Sequence, residues 1–248
     1  MIYVKVVVIL KKSNPVILVT PSFKKELNGY FLNKDYCNII ERCGGVPMAA
    51  HYGGYEYINN IIDSVSAVVL TGGGDISPDL CGLDSGEFTK GAIRERDMFE
   101  SALFLQAITK NIPVLGICRG MQLMCAVTGG KICEDISLFS ENAYCHDQKI
   151  ERNIPWHKID IKKDSVLFEI VKKESIYVNS LHHQCVKESG NILKPCAFSK
   201  DGVMEAVESK SGTFMMGVQW HPESMGYDDS VSRQIFKFFI NKAIQGGK

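Results

Sequence analysis

Short β-branched runs alternate along this chain with stretches whose apolar residues recur at helical spacing, and that alternation constrains the fold more than any other feature. It is the pattern of βαβ units laid onto a parallel sheet. Strands are expected over residues 16–20, 46–49, 67–71 and 112–117, with helices over 33–43, 57–62, 93–110 and 119–128. Met98, Ala102, Leu105 and Ile108 mark the apolar stripe of the third of these helices. The second half is richer in strands, over 157–161, 175–178, 192–198, 203–208 and 214–219, followed by a helix over 231–244. The expected class is α/β: a flavodoxin-like, mostly parallel central sheet flanked by helices, with additional antiparallel strands. No repeat, low-complexity tract or Pro/Ser-rich linker divides the chain, so residues 1–248 read as one domain, with 1–14 an extension or extra strand. The stretch 85–94 is the most loop-like, and mobility is expected there.

Charge and cysteine usage exclude several function classes. The 28 basic residues are matched by 28 acidic ones, which argues against a nucleic-acid partner. The apolar run near the N-terminus is short and interrupted by Lys5, so neither a targeting segment nor a membrane span is expected, and the compartment is read as cytoplasmic. Nine cysteines, an odd number with no C-x-x-C pair, read as reduced, mostly buried thiols rather than a disulfide framework. No metal is expected, because paired Cys or His at ligand spacing are missing.

Gly116-Ile-Cys118-Arg-Gly120 lies directly between a strand and a helix. This is the spacing of a nucleophile elbow, a turn so tight that only glycine fits on either side of the nucleophile. A cysteine at the start of a helix is favoured as thiolate, the reactive species. The base it needs is offered by Val218-Gln-Trp-His221-Pro-Glu223 at the end of another strand, where alternation in extended chain would put His221 and Glu223 on one side. Thr71-Gly-Gly73-Gly74-Asp75 follows a third strand and leaves backbone amides free. With Cys118 nearby, the amides of Gly73 and Arg119 are read as an oxyanion hole. The adjacent His182 and His183 of Asn179-Ser-Leu-His-His-Gln184 point different ways from extended chain and make a poor bidentate metal site; one is an alternative base, or both line a pocket.

These segments together resemble the class I glutamine amidotransferases, and most closely the family of γ-glutamyl-γ-aminobutyrate hydrolases and standalone γ-glutamyl peptidases. The resemblance runs from about Pro15 to Ala243 and includes Arg96-Asp97 and the Gln122 that follows the elbow. It implies Cys118 as nucleophile, His221 as general base and Glu223 as its orienting partner, with Gly73, Gly74 and Arg119 around the oxyanion. It also implies Gln122, Ser180, Leu181, His182 and His183 as substrate-binding positions. The implied reaction is hydrolysis of a small-molecule γ-glutamyl amide to glutamate and an amine, with no cofactor, no metal and no nucleic-acid or membrane partner; a homodimer is compatible with it. A glutaminase subunit feeding ammonia to a separate synthetase, and a non-catalytic cysteine sensor or binding protein, are the alternative readings.

Overall fold

The computed structural model describes residues 14–83, 86–140 and 143–246; the N-terminal extension and Ser85 lie outside this set. In chain order the first elements are β1 (Val16–Val19), the hairpin β2 (Ser22–Lys24) and β3 (Gly29–Phe31), α1 (Lys34–Arg42), β4 (Val46–Ala49), α2 (Tyr55–Asp63), β5 (Ala67–Leu70), α3 (Pro78–Cys81) and α4 (Arg94–Thr109). Next come β6 (Val114–Ile117), α5 (Arg119–Val127), β7 (Lys131–Cys133), β8 (His157–Ile161), α6 (Val166–Val171), β9 (Ser175–Val178) and β10 (Cys185–Glu188). The chain closes with β11 (Leu193–Ser199), β12 (Met204–Ser209), β13 (Met215–Val218), α7 (Pro222–Met225) and α8 (Ser230–Gly246).

Nine strands form one sheet in the order β4-β1-β5-β6-β13-β12-β11-β8-β9. From β4 to β13 every pairing is parallel; from β13 to β9 every pairing is antiparallel. The mixed α/β class expected from the alternation is therefore the class observed. Side chains leave the parallel strands alternately for the two faces: Ile17, Val19, Leu115 and Ile117 join one core with α1 and α8, while Leu18, Val68, Leu70 and Val114 join the other with α2, α4 and α5. Burial on both faces explains why β5 and β6 read as unbroken apolar runs.

Helix α4 turns a different face inward from the one its apolar stripe suggests. Met98 and Leu105 are exposed, whereas Phe99, Leu103, Phe104 and Ala107 are buried together with Arg96, Asp97 and Glu100. The polar trio is buried because it belongs to an ion cluster that anchors the site described below. The described part of the expected mobile loop is fastened to its neighbours: Glu134 Oε1 accepts from Phe88 N and Thr89 Oγ1, both at 3.0 Å, and Asp75 Oδ2 accepts from Lys90 N at 2.6 Å. All nine cysteines are free, and six of them are buried. Among the described residues no helix is long and apolar enough to cross a membrane.

Candidate active site

Strands β6 and β13 run parallel with Ile117 paired to Val218, so Cys118 and Gln219 are the next residues off two adjacent strands. Both leave the sheet at its carboxyl-terminal edge, where open α/β sheets bind their ligands. Cys118 takes φ 54° and ψ −108°, a backbone conformation that side-chain-bearing residues rarely adopt. Its amide is nevertheless anchored, donating to Val218 O at 2.7 Å. The turn closes against β5: a Cβ on Gly120 would stand 2.1 Å from the Leu70 carbonyl oxygen. The thiol is buried, and its sulfur accepts from Gln219 Nε2 at 3.6 Å. Gln122 braces that contact, donating to Gln219 Oε1 at 3.2 Å and approaching Gln184 O at 3.3 Å.

His221 follows β13 and caps the short helix α7, whose first residue is Pro222. Glu223 reaches it from the first turn of that helix rather than from extended chain, so the two side chains meet by a helical turn and not by strand alternation. The Nδ1 of His221 lies 2.7 Å from Glu223 Oε1, and its ring is in hydrogen-bonding contact with Cys118. Burial pulls the imidazole pKa down, but the Glu223 carboxylate and the Cys118 sulfur overcome it and raise the group to about 10. Asn179 brackets the same residue, accepting from His221 N at 2.9 Å and donating to His221 O at 3.0 Å. Tyr36, which the sequence marks only as a core residue of α1, accepts the Gly72 amide at 3.0 Å on its hydroxyl. Burial and the nearby Glu223 carboxylate hold that phenol well above its ordinary pKa, and so neutral.

The glycine loop after β5 fits between these groups. A Cβ on Gly72 would stand 2.6 Å from His221 Cε1, so only glycine lets the loop lie against the imidazole. Gly73 sits under the Arg96 guanidinium and Gly74 against the Gly91 carbonyl. Arg96 Nη2 donates to Thr71 O at 3.0 Å, to Thr71 Oγ1 at 2.9 Å and to Gly72 O at 3.1 Å, while its Nε donates to Glu100 at 2.8 Å. Arg119 pairs with both Asp97 and Glu100, and Asp97 in turn accepts from Ser77 N at 2.9 Å. The side chain of Arg119 is thus committed beneath the loop. Burial would raise the Glu100 carboxyl, but the two guanidiniums hold it below the usual range.

A cavity of about 340 Å³ opens over this edge, lined by Lys24, Tyr36, Gly73, Arg152, Leu181 and His221 among others. Lys24 comes from the β2–β3 hairpin, whose three-residue strands carry too short a pattern to be read from sequence. Arg152 stands beside the imidazole, its Nη2 3.4 Å from His221 Nδ1. The remaining positions singled out in the sequence are elsewhere. Ser180 is buried, its amide donating to Gln148 Oε1 at 2.7 Å and its hydroxyl to His146 O at 2.7 Å. His183 bridges Asp75 at 3.0 Å and Asp135 at 3.1 Å, and His182 faces Glu205. Both histidines line a second cavity of about 280 Å³ instead of the one beside His221.

The family model for peptidase C26 matches residues 15–223. The γ-glutamyl-γ-aminobutyrate hydrolase of Escherichia coli O157:H7 is 31% identical over 239 residues, covering 92% of this chain and 93% of its own. Protein NtpR of Enterococcus hirae is 32% identical over 209 residues, covering 84% and 87%. Among solved structures, a Thermoplasma acidophilum protein described as one of the subunits of GMP synthase superposes with a TM-score of 0.61 over 93% of this chain and 94% of its own, at 15% identity, a likeness of fold. With the family model spanning most of its length and relatives above 30% identity along nearly all of it, the chain belongs to the peptidase C26 family of hydrolases, within the class I glutamine amidotransferase-like superfamily.

Proposed function

We propose that this chain hydrolyses the γ-glutamyl amide bond of a γ-glutamyl amine or peptide by acyl transfer to water, with Cys118 as nucleophile, His221 as general base and acid, and Glu223 as its orienting partner. The observation that carries the reading is the buried line of contacts from the strained Cys118 through His221 to Glu223 at the carboxyl-terminal edge of the parallel strands. His221 takes the proton of the Cys118 thiol, the sulfur attacks the side-chain carbonyl of the glutamyl group, and the carbonyl oxygen becomes an oxyanion. Two backbone amides serve it. Arg119 is the first residue of α5, so its N–H has no intrahelical acceptor and lies at the positive end of the helix. Gly73 supplies the other donor, on a loop fixed by Arg96.

As the tetrahedral intermediate collapses, His221 gives a proton to the leaving amine, leaving glutamate bound as a thioester on Cys118. The neutral imidazole then takes a proton from water, which attacks the thioester and releases glutamate. Glu223 stabilises the imidazolium whenever it forms. Lys24 and Arg152 bring positive charge to the cavity wall and suit a substrate carrying free carboxylates. Leu181 lines the same wall. Gln122, Ser180, His182 and His183 act as positioning residues, through Gln219, His146, Glu205 and Asp75 respectively. Similarity to relatives such as the Escherichia coli hydrolase supports the γ-glutamyl class.

The test is release of glutamate by the purified full chain from glutamine and from a panel of γ-glutamyl amines and γ-glutamyl amino acids. We expect kcat/KM for at least one γ-glutamyl amine or peptide to exceed that for glutamine. A protein that turns over glutamine best, and faster still with a synthetase present, would replace this reading with that of an ammonia-supplying subunit.

A further inference from the structure

Behind the wall that carries His182, three histidines and one carboxylate form a buried cluster outside the cavity beside His221. His146 Nδ1 lies 3.2 Å from Glu205 Oε1, His157 Nε2 3.4 Å and His182 Nε2 3.7 Å from the same oxygen. The side chains of Glu205 and His146 are fully buried, that of His182 is 2% exposed and that of His157 is 7% exposed. Among the described residues, His157 Nε2, His182 Nε2 and both Glu205 carboxylate oxygens have no hydrogen-bond partner. Two buried imidazole nitrogens facing one buried carboxylate oxygen without a hydrogen bond is an expensive arrangement unless something else lies between them.

His146 Nε2 lies 2.9 Å from Asp201 Oδ2, His182 Nδ1 2.9 Å from Gln184 O, and His157 Nδ1 3.4 Å from Lys158 O. The outer nitrogens of His157 and His182 meet carbonyl acceptors and so carry the ring protons, while His146 lies between the carboxylates of Asp201 and Glu205. The inner nitrogens of His157 and His182 then present lone pairs toward an anionic oxygen, a repulsion that a cation turns into attraction. Histidines that donate outward to a carboxylate or carbonyl while aiming the other nitrogen inward are the ordinary surroundings of a bound metal ion. The spacing agrees. Around an ion with bonds of about 2.0–2.1 Å, tetrahedral ligands stand about 3.3–3.4 Å apart, and the contacts of His146 and His182 to Glu205 Oε1, at 3.2 and 3.7 Å, fall on either side of that value. The ligand atoms of His146, His182 and Glu205 all lie within 4.8 Å of one another.

We propose that His146, His182 and Glu205 bind one divalent transition-metal ion of the zinc type, with His157 Nε2 beside the same carboxylate. The sequence hides it because the ligands come from three separated segments: the loop before Asp147, the turn after β9, and β12. His182 enters and His183 does not, in keeping with the opposite directions of two adjacent side chains. Held by three buried side chains, the ion fastens the segment that runs from Asn179 to Gln184. His146 and His182 also line the second cavity, which gives an ion its way in.

The experiment uses the purified full chain, stripped with chelator, reloaded with zinc chloride, passed through gel filtration and analysed for metal and by X-ray absorption. We expect one zinc per chain, a coordination shell of nitrogen and oxygen at about 2.0–2.1 Å with no sulfur at about 2.3 Å, and a lower melting temperature for the stripped protein. Glu205→Gln and His182→Asn should each weaken zinc affinity by more than about 100-fold. If either variant fails to fold, the wild-type absorption spectrum still decides. A folded wild type that retains no zinc means protons fill the cluster and overturns the proposal. A sulfur shell overturns it equally, because the ion would then sit on the free cysteines.

Discussion

Asn179 holds both backbone polar groups of His221 with one side chain, its Oδ1 accepting from the histidine N–H at 2.9 Å and its Nδ2 donating to the histidine carbonyl at 3.0 Å. Asn179 and His221 are both buried, so water cannot take over these bonds. The imidazole is thereby fixed from its own main chain before Glu223 or Cys118 touches it.

Asn179→Ala should therefore damage catalysis through position. Leaving buried backbone groups unpaired weakens folding by about 1–3 kcal/mol per group, read by urea unfolding. A shift of the imidazole of about 1 Å is enough for a fall of up to about 100-fold in kcat. We expect kcat to drop by about 10- to 100-fold with KM little changed. A variant with unchanged kcat would show that Glu223 and Cys118 alone place the ring.

Glu100 is the second point of leverage. It lies between Arg96 and Arg119, all three buried, and no solvent is available to either guanidinium if the carboxylate is lost. Glu100→Gln should destabilise the protein by about 3–5 kcal/mol, because breaking one side of a buried ion cluster leaves charge uncompensated. Chemical denaturation measures it. A loss below about 1 kcal/mol would mean that Asp97 suffices for both arginines.

Asn179 and Glu100 mark the boundary of what the sequence makes legible. Cys118, His221 and the glycine loop are readable because each stands where an apolar strand pattern stops, and ends of adjacent parallel strands must meet. Asn179 and Gln219 lie inside recognisable motifs, yet their roles depend on partners across the fold that no local spacing encodes. Tyr36 sits on the apolar face of α1, and only its hydroxyl, beyond the ring, reaches Gly72. The apolar periodicity of α4 points to Met98 and Leu105, but burying Arg96, Asp97 and Glu100 as a neutralised cluster turns a different face inward. The hairpin that brings Lys24 to the cavity is too short to show a period at all.

His183 discriminates between lining a pocket and holding a loop. It joins Asp75, at the end of the glycine loop, to Asp135 across the second cavity. If it holds the loop, His183→Leu lowers kcat and leaves KM nearly unchanged, since Gly73 serves the transition state more than the bound substrate. A rise in KM at constant kcat, in steady-state assays, would return His183 to direct substrate contact.

The raised pKa of His221 bears on stability. The folded value is about 10, against about 6.5 for an unfolded histidine. Stability from the imidazolium and its Glu223 partner is therefore present in full below about pH 6.5 and fades as pH rises toward about 10. Glu223→Gln removes that partner. Melting curves of the two proteins should differ most near pH 6 and converge towards pH 10; a gap that widens with pH would contradict an imidazolium held by Glu223.

The acyl-enzyme itself can be trapped. Wild-type protein quenched in acid during turnover of a γ-glutamyl substrate, then digested and mapped by mass spectrometry, should carry one glutamyl group on the peptide containing Cys118. Purified Cys118→Ala should be folded, should carry no adduct and should release no glutamate above the uncatalysed rate. A glutamyl group on any other residue, or turnover that survives in Cys118→Ala, would remove Cys118 from the nucleophile role.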